Sequence, residues 1–388
     1  MVDKSTLSFP AAEQNIFMAH CAISPLYAAS AKAMQRFVED MSNGGITALP
    51  GYLDTVNTFH NAVAAFLRTD ARNISYVHNT AEALCMIANG YPFSPGDEII
   101  SYLHEYPSNH YPWVLQEKRG VKLVLLGDTA QPGCPQESDK PRGWSLEELE
   151  RRISDKTRLV AVSHVQFSSG FGADLEKLGR LCRDRNVDLV VDCAQSLGCL
   201  PVYPEKYHLS AVVASGWKWL MGPKGSALLY TAEAFREKIA STMAGPGLMQ
   251  QGLDYLDHAW APHEDGRKFE YSTLPWDHLT AMSILLQEIF LSRSIEEIRA
   301  EVFRLQDIFL EHVSCENLRF FRFSPENRSG ILAARYDGDV GKVVSALTKR
   351  GVIATAPVGY LRFAPHFYNT DKQMVSAAQK VNEVLREY

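Results

Sequence analysis

The chain has 388 residues, of which 39 are Lys or Arg and 45 are Asp or Glu, giving a formal net charge of −6. This balance provides no general attraction for nucleic acid or for an anionic membrane surface, so neither is an expected partner. Hydrophobic residues make up 46% of the sequence and charged residues 22%, which excludes a disordered or fibrous chain, and the length favours two domains.

The N-terminus and the cysteines predict a cytoplasmic protein. Residues 1–10 lack the apolar core of a signal peptide, and no apolar run approaches the ~20 residues of a membrane-spanning helix. The seven cysteines form neither a Cys-x-x-Cys pair nor a dense disulfide framework, which is typical of a reducing compartment. We expect no metal site, because His104 and His110 are too far apart to share a helix face.

Short β-branched runs alternate with helical patterns through the first two thirds of the chain. Helical patterns occupy residues 25–41, 54–68, 108–119 and 174–185. Strand patterns occupy residues 98–103, 122–126, 159–164, 188–192, 211–214 and 227–230. Continuous apolar strands separated by helices predict a mainly parallel sheet covered on both faces. The ligand site of such a sheet lies outside the carboxyl ends of its strands.

Behind this core the pattern changes to longer helices and shorter strands. These elements are predicted at 318–323, 330–335, 340–350 and 370–386. The sequence therefore predicts an N-terminal segment (1–24), a large α/β domain (25–262) and a smaller C-terminal α+β domain (263–388).

Three predicted strand ends carry polar residues that together suit one cofactor. Asp192 ends one strand, and Lys218 follows the next strand between two tryptophans. Burial lowers the pKa of a lysine and favours its nucleophilic amine, while a buried carboxylate can hold a cationic ligand group. Thr80 precedes a helical pattern at 82–89, and a helix start binds phosphate through its backbone N–H groups.

Each of these features also has an ordinary structural interpretation. Asp192 alone suits a helix N-cap, Lys218 alone suits a lysine with a buried apolar stem, and the Thr80 segment alone suits a capping box. Their joint occurrence favours pyridoxal 5′-phosphate, which requires an amine, a carboxylate and a phosphate site.

Over nearly its whole length the sequence resembles the class V aminotransferase family of fold-type I pyridoxal 5′-phosphate enzymes. This family includes cysteine desulfurases and isopenicillin N epimerase-like proteins. The specific segments are Asp192-Cys-Ala-Gln195 and Ser215-Gly-Trp-Lys218. The resemblance implies the fold-type I architecture, in which a large domain with a mainly parallel sheet precedes a smaller α+β domain, and it implies a homodimer.

The resemblance also implies a role for each matching residue. Lys218 forms the Schiff base and Asp192 pairs with the pyridinium nitrogen, so these two are the expected catalytic residues. The expected cofactor-binding residues are Thr80, Ala81, Tyr106, Gln166, Asp192, Gln195, Ser215, Trp217, Lys218 and Thr273. Tyr106 stacks on the ring, and Thr273 completes the phosphate site of the neighbouring subunit. Arg362 binds the α-carboxylate of the substrate, for which the guanidinium fork is suited.

The remaining roles concern the phosphate and the ring substituents. Thr80, the Ala81 backbone and Ser215 hold the phosphate, and Gln195 bonds the phenolic oxygen. Trp217 stands where family members commonly have histidine, and its indole N–H can still donate one hydrogen bond.

The implied activity is chemistry at the α-carbon of a small amino acid through an external aldimine, with aminotransferase-type chemistry as the first expectation. A C–S (β-eliminating) lyase or an epimerase uses the same residues, so both stay open. A persulfide-forming cysteine desulfurase is not expected, because residues 351–362, where the desulfurases carry their nucleophile, contain no cysteine. A non-catalytic protein that binds pyridoxal phosphate is the last alternative, and the retained Lys218 disfavours it.

Overall fold

The computed structural model describes residues 7–130 and 142–387. The strands are β1 (Ile16–Phe17), β2 (Ile74–Val77), β3 (Glu98–Tyr102), β4 (Lys122–Leu126), β5 (Thr157–Ser163), β6 (Asp188–Asp192), β7 (Ala211–Ser215), β8 (Ala227–Thr231), β9 (Leu318–Phe320), β10 (Leu332–Tyr336), β11 (Val352–Ile353) and β12 (Tyr360–Phe363). The helices are α1 (Pro10–Gln14), α2 (Ala28–Gly44), α3 (Thr55–Leu67), α4 (Thr80–Gly90), α5 (Tyr111–Val114), α6 (Leu146–Arg152), α7 (Leu175–Asp184), α8 (Glu233–Lys238), α9 (Trp276–Leu285), α10 (Ile295–His312), α11 (Val340–Lys349) and α12 (Asp371–Glu387).

A seven-stranded sheet in the order β2-β8-β7-β6-β5-β3-β4 forms the core of the α/β fold. The five adjacent strands β4, β3, β5, β6 and β7 run parallel to one another, whereas β8 runs antiparallel to both β7 and β2. Every residue of β7 and β8 is buried, as expected for apolar strands covered on both faces. The six predicted strands are confirmed to within two residues at each end, and β2 is a further strand that those predictions did not include.

The predicted helix at 108–119 is wrong as a continuous helix. The structure has a 3₁₀ turn at Pro107–Asn109, the single turn of α5 and a second 3₁₀ segment at Leu115–Arg119. The two prolines, Pro107 and Pro112, each lack the N–H that a helix interior requires, so the chain is helical only in short pieces.

A second, antiparallel sheet in the order β12-β10-β9 packs against α10, α11 and α12 around its own hydrophobic cluster. The N-terminal segment belongs here, because β1 pairs with β11 in parallel register and Met18 is part of this cluster. The side chains of Leu279 and Met282 in α9 instead pack with the large sheet. The chain therefore does not pass from one hydrophobic cluster to the other at residue 263. The division of the chain into domains stays a prediction.

Helix α10 joins the two hydrophobic clusters. Ile298 and Val302 pack with the large sheet, whereas Leu305 and Phe309 pack with the smaller one. None of the helices in the described ranges is both long and apolar enough to cross a membrane. Within the same ranges, no three His, Cys, Asp or Glu side chains are grouped so that they could hold a metal ion.

Candidate active site

A cavity of about 380 Å³ opens at the edge of the seven-stranded sheet where the parallel strands end. Its walls come from the ends of β5, β6 and β7, the start of α4, β12 and the N-terminal residues 21–23. Eight of the predicted site residues line it: Thr80, Tyr106, Asp192, Gln195, Ser215, Trp217, Lys218 and Arg362. The fold therefore brings together most of the residues that the resemblance singled out.

Asp192 is buried and Lys218 is half-buried, and the charge of each shifts the pKa of the other. Asp192 is 5% exposed, and its Oδ1 accepts a hydrogen bond from the Ala194 N–H at 2.8 Å. Burial raises the pKa of Asp192, while the Ala194 N–H and the charge of Lys218 oppose that rise. Burial also lowers the pKa of Lys218, against the charge of Asp192. A lysine with a lowered pKa more readily carries the neutral amine that a nucleophile or base needs.

Three parts of the chain fix the backbone around Lys218. Ser24 Oγ donates to the Lys218 carbonyl at 2.6 Å, and the Ser24 N–H donates to the Trp217 carbonyl at 2.9 Å. The carbonyl of Trp219, a fully buried residue, hydrogen-bonds with His366 Nε2 at 2.9 Å. The N-terminal segment and the C-terminal part of the chain therefore hold the turn that carries the lysine.

The start of α4 forms one end of the cavity. The Asn79 side chain caps the helix by accepting a hydrogen bond from the Glu82 N–H at 2.9 Å. Thr80 Oγ1 and Ser215 Oγ lie 3.2 Å apart on the cavity wall. These two hydroxyls and the free N–H groups of a first helical turn fit a phosphate. Ala81 lies in that turn but not on the wall, which leaves its backbone N–H for the predicted role.

Gln195 links the sheet edge to the N-terminal segment. Its Nε2 donates to the Cys21 carbonyl at 2.9 Å, and its buried Oε1 has no partner among the described residues. Buried polar atoms are nearly always hydrogen-bonded, so this amide suits a polar group held in the cavity. Cys21 also lines the cavity, although no local motif marks it. The unpartnered amide, the amine, the carboxylate and the hydroxyls fit pyridoxal 5′-phosphate.

Tyr106 presents its ring above Lys218. The ring centroid lies 5.3 Å from Lys218 Nζ and 5.2 Å from the ring centroid of Phe167, which it meets edge to face. The side chain of Tyr106 is 44% exposed at the cavity mouth. The ring thus lies at the cavity beside Lys218, and its stacking on a flat ligand stays a prediction.

Glu105 is a buried carboxyl group to which the sequence assigned no role. It accepts hydrogen bonds from the Ser163 N–H at 2.7 Å, from Ser163 Oγ and from Gln166 Nε2 at 2.9 Å. Burial raises the pKa of Glu105 to about 7 despite these hydrogen bonds, and the charge of Asp192 adds to the rise. The contacts attach the segment that carries Tyr106 to the end of β5. In the sequence, the only indication of this buried carboxyl group is that an acidic residue, Glu105, directly precedes the aromatic residue Tyr106.

Besides Ala81, two predicted residues do not line this cavity, Gln166 and Thr273. Gln166 was expected to border the cofactor ring, but Val165 and Phe167 form the wall while Gln166 is bonded to Glu105 behind it. Successive residues of an extended chain face opposite sides, which explains the difference. Thr273 is exposed and does not line the cavity of its own chain, so its place in a neighbouring subunit stays a prediction.

Arg362 lies on β12 and is 4% exposed. Its Nε and Nη2 donate to Thr355 Oγ1 at 3.3 Å and 3.1 Å, and its Nη1 donates to the Phe167 carbonyl. These contacts fix the guanidinium group on the cavity wall. Because each terminal nitrogen carries two N–H groups, both nitrogens keep a donor for a carboxylate.

Replacing Arg362 with alanine should weaken substrate binding and leave cofactor binding unchanged. A hydrogen bond to a charged group contributes about 1.5–3 kcal/mol, so we expect KM for an amino-acid substrate to rise about 10- to 150-fold. Steady-state kinetics at saturating cofactor measure this change. Arg319→Ala is the matched control, because Arg319 pairs with Asp337 on the surface of β9. An unchanged KM in Arg362→Ala would contradict the assignment.

Comparison with known proteins identifies relatives over most of the chain. The family model described as Aminotransferase class-V matches residues 20–360. A probable cysteine desulfurase of Methanothermobacter thermautotrophicus is 24% identical over 354 residues, which cover 83% of this chain and 82% of that protein. The uncharacterized aminotransferase YcbU of Bacillus subtilis is 22% identical over 374 residues, covering 96% of this chain and 95% of that protein.

Solved structures share the fold. The apo structure of a cysteine desulfurase from Thermococcus onnurineus superposes with a TM-score of 0.85 at 21% identity, covering 98% of this chain and 97% of that one. The cystine C–S lyase C-DES, in complex with cysteine persulfide, superposes with a TM-score of 0.86 at 18% identity, covering 97% and 99%. At these sequence identities, the similarity to the solved structures shows a shared fold alone.

Proposed function

Because the chain belongs to the class-V aminotransferase family of pyridoxal 5′-phosphate enzymes, we propose that it is a lyase that breaks the C–S bond of a small amino acid with an uncharged side chain. This reaction is the β-eliminating alternative, whereas aminotransferase-type chemistry was the first expectation from the sequence. Relatives named as cysteine desulfurases and a structural neighbour named as a cystine C–S lyase support this choice.

The main support for this proposal is the small number of charged side chains that line the cavity. Among the described residues that line it, the charged side chains are Asp192, Lys218 and Arg362. Asp192 and Lys218 serve the cofactor, which leaves Arg362 as the single cation for the substrate. A dicarboxylic amino donor would bury its second carboxylate without a partner, at a large cost in free energy. A substrate with one carboxylate and an uncharged side chain has no such cost.

The apolar part of the cavity wall suits a sulfur-bearing side chain. Cys21, Ile23, Phe167 and Pro357 are among the apolar or weakly polar residues that line the cavity. Thiols and thioethers are soft and weakly polar, and they pack well against apolar and aromatic groups. An uncharged sulfur substituent on Cβ therefore matches the wall better than a second carboxylate would.

The chemistry divides between the cofactor and the protein. When bound, pyridoxal 5′-phosphate supplies an electron-accepting ring conjugated to Cα of the substrate. Arg362 binds the substrate carboxylate and orients Cα, and Lys218, whose pKa is lowered by desolvation, takes the proton from Cα. Asp192 holds positive charge at the ring nitrogen. For cysteine, the overall reaction consumes one water and yields pyruvate, ammonia and hydrogen sulfide.

The positions of the cysteines favour release of free thiol over transfer of sulfur to the protein. The six residues between β11 and β12, 354–359, contain no cysteine. Cys193 is fully buried beside Asp192, does not line the cavity, and has its thiol pKa raised by burial. Of the described cysteines, Cys21 is the one on the cavity wall.

The products of a panel of amino acids distinguish the candidate reactions. Incubation of holoenzyme with cysteine, S-methylcysteine and cystine should yield pyruvate and ammonia in equal amounts, together with sulfide, methanethiol or a persulfide of free cysteine. Coupled assays for pyruvate and ammonia and mass spectrometry of the sulfur product measure this outcome. Alanine, which has one carboxylate and an uncharged side chain, is the matched amino donor for a transamination assay with a 2-oxo acid.

Two results would refute the lyase assignment. Transfer of the amino group to the 2-oxo acid without release of ammonia would identify an aminotransferase. A protein-bound persulfide that forms and discharges at the turnover rate would identify sulfur transfer, and its position would show whether Cys21 receives the sulfur.

We further propose a cytoplasmic homodimer in which Thr273 contributes to the phosphate site of the partner. The described cysteines, including the buried Cys182 and Cys199, are all free thiols, as expected in a reducing compartment. Leu256 and Trp260 are 90% and 67% exposed on the segment that precedes Thr273, and such apolar exposure is typical of an interface between subunits.

A further inference from the structure

The side chain of Cys21 lies on the active-site wall within reach of both residues that act on the substrate. Its Sγ is 3.8 Å from Thr355 Oγ1, and the same hydroxyl accepts hydrogen bonds from Arg362 Nε at 3.3 Å and from Arg362 Nη2 at 3.1 Å. Cys21 is also close enough to Lys218 for the charges of the two side chains to interact. We therefore expect a substrate whose carboxylate binds Arg362 and whose Cα faces Lys218 to bring its Cβ substituent close to Cys21.

The hydrogen bonds of Thr355 fix the direction of its contact with Cys21. A hydroxyl oxygen accepts two hydrogen bonds and donates one. Arg362 occupies both acceptor positions of Thr355 Oγ1, so the hydroxyl hydrogen points to the weakly accepting sulfur of Cys21. The thiol hydrogen is not used in this contact, and Sγ has no other hydrogen-bond partner among the described residues. That hydrogen is free for a group in the cavity.

A second side chain on the same wall indicates that a polar ligand atom lies beside Cys21. Gln195 Nε2 donates to the Cys21 carbonyl at 2.9 Å. The Gln195 side chain lines the cavity, is 6% exposed, and has a buried Oε1 without a partner among the described residues. Because buried polar atoms are nearly always hydrogen-bonded, this part of the wall is built for a ligand and not only for packing.

The departing sulfur of the proposed lyase reaction needs a proton in this part of the cavity. An alkyl thiolate that leaves Cβ is an anion, and apolar surface does not stabilise an anion. A thiol suits this transfer, because donor and departing thiolate belong to the same chemical class and the proton passes between them with little change in free energy. The other candidate acids on the wall are Lys218, which is engaged at Cα, and Tyr106, which is 44% exposed at the cavity mouth.

We propose that Cys21 is the acid that protonates the departing thiolate, an inference that rests on the proposed lyase function. The Cβ–S bond breaks, its electron pair goes to the sulfur, and that sulfur takes the proton of the Cys21 thiol. The electron pair of the Cα–H bond forms a Cα=Cβ bond, and the proton that Lys218 took from Cα restores the Cys21 thiol. The products are a free thiol and an unsaturated amino acid, which water converts to pyruvate and ammonia.

Two substrates with different leaving groups test the proposal. S-Methylcysteine releases a thiolate that needs a proton, whereas 3-chloroalanine releases chloride, which needs none. Cys21→Ala should lower kcat/KM for S-methylcysteine by about 10²-fold or more, the usual contribution of a positioned acid. The initial rate of pyruvate formation from 3-chloroalanine should stay unchanged. A purely structural role of Cys21 would lower both rates together.

Two further variants separate acid catalysis from folding. Cys21→Ser keeps the size of the side chain but replaces the thiol by a much weaker acid, so it should show the same selective loss and decides the matter if Cys21→Ala fails to fold. Cys182→Ala removes a buried thiol of α7 outside the cavity wall and should change neither rate. The absorbance of the bound cofactor, and the Kd for alanine measured from it, should be the same in all variants, because alanine has no leaving group.

Four results would overturn the proposal. Unchanged kcat/KM for S-methylcysteine in Cys21→Ala would refute the role of Cys21 and leave the lyase function intact. A selective loss in Tyr106→Phe and not in Cys21→Ala would identify the tyrosine as the acid. A persulfide that forms on Cys21 at the turnover rate would show that this thiol accepts sulfur. No pyruvate from S-methylcysteine with the unmodified enzyme would refute the lyase function itself, and the role of Cys21 with it.

Discussion

Replacing Lys218 with alanine should abolish the covalent attachment of the cofactor and reduce kcat by about 10⁴-fold or more, the upper range for a positioned acid–base group. Lys218 is the half-buried amine on the cavity wall, and desolvation lowers its pKa. No nearby side chain can replace it, because it is the only lysine lining the cavity in the described part of the chain. Absorbance of the lysine-bound cofactor and turnover with cysteine measure the two effects.

Lys224 provides the matched control. It lies six positions after Lys218 on the same turn, but its side chain is exposed and outside the cavity wall. Lys224→Ala should keep the cofactor absorbance and the turnover of the unmodified enzyme. Borohydride reduction followed by peptide mass analysis should place the label on Lys218. A label on Lys224, or undiminished turnover in Lys218→Ala, would show that the assignment is wrong.

The core of the fold could be predicted from the sequence because its signals are local. Each strand from β3 to β8 is a short apolar run between turn residues, and such a run marks a strand wherever it pairs. Parallel pairing then brings the carboxyl ends of adjacent strands to one edge. The register of Ser163 opposite Asp192 shows this alignment directly. Asp192, Ser215 and Lys218 could therefore be grouped before their distances were known.

The parts of the site that come from distant segments could not be predicted in this way. Cys21 reaches the cavity and Ser24 reaches the backbone of Lys218 because β1 pairs with β11, a contact between residues more than 300 positions apart. Glu105 is buried by residues of β5 and the loop after it, and a single acidic residue gives no sequence signal of such burial. Tertiary contacts of this kind depend on the whole fold, so no local pattern in the sequence predicts them.

Replacing Asp192 with asparagine should lower kcat/KM by about 10²–10³-fold, the usual cost of removing one preorganised electrostatic group. The amide has nearly the same shape, so the hydrogen bond from the Ala194 N–H can remain while the negative charge is lost. Asp192 would then no longer hold positive charge at the ring nitrogen of the cofactor. The change also removes a buried carboxylate, so thermal unfolding of the apoenzyme should move little.

Asp188→Asn tests the same chemical change at the opposite end of β6, where Asp188 contacts Tyr91 and Lys238 far from the cavity wall. This control should alter the unfolding temperature and leave kcat/KM and the cofactor spectrum unchanged. The two variants therefore separate a loss of catalytic charge from a loss of stability. If Asp192→Asn keeps kcat/KM within about threefold of the unmodified enzyme, the carboxylate does not hold the ring nitrogen, because an electrostatic group in a buried site contributes far more than that.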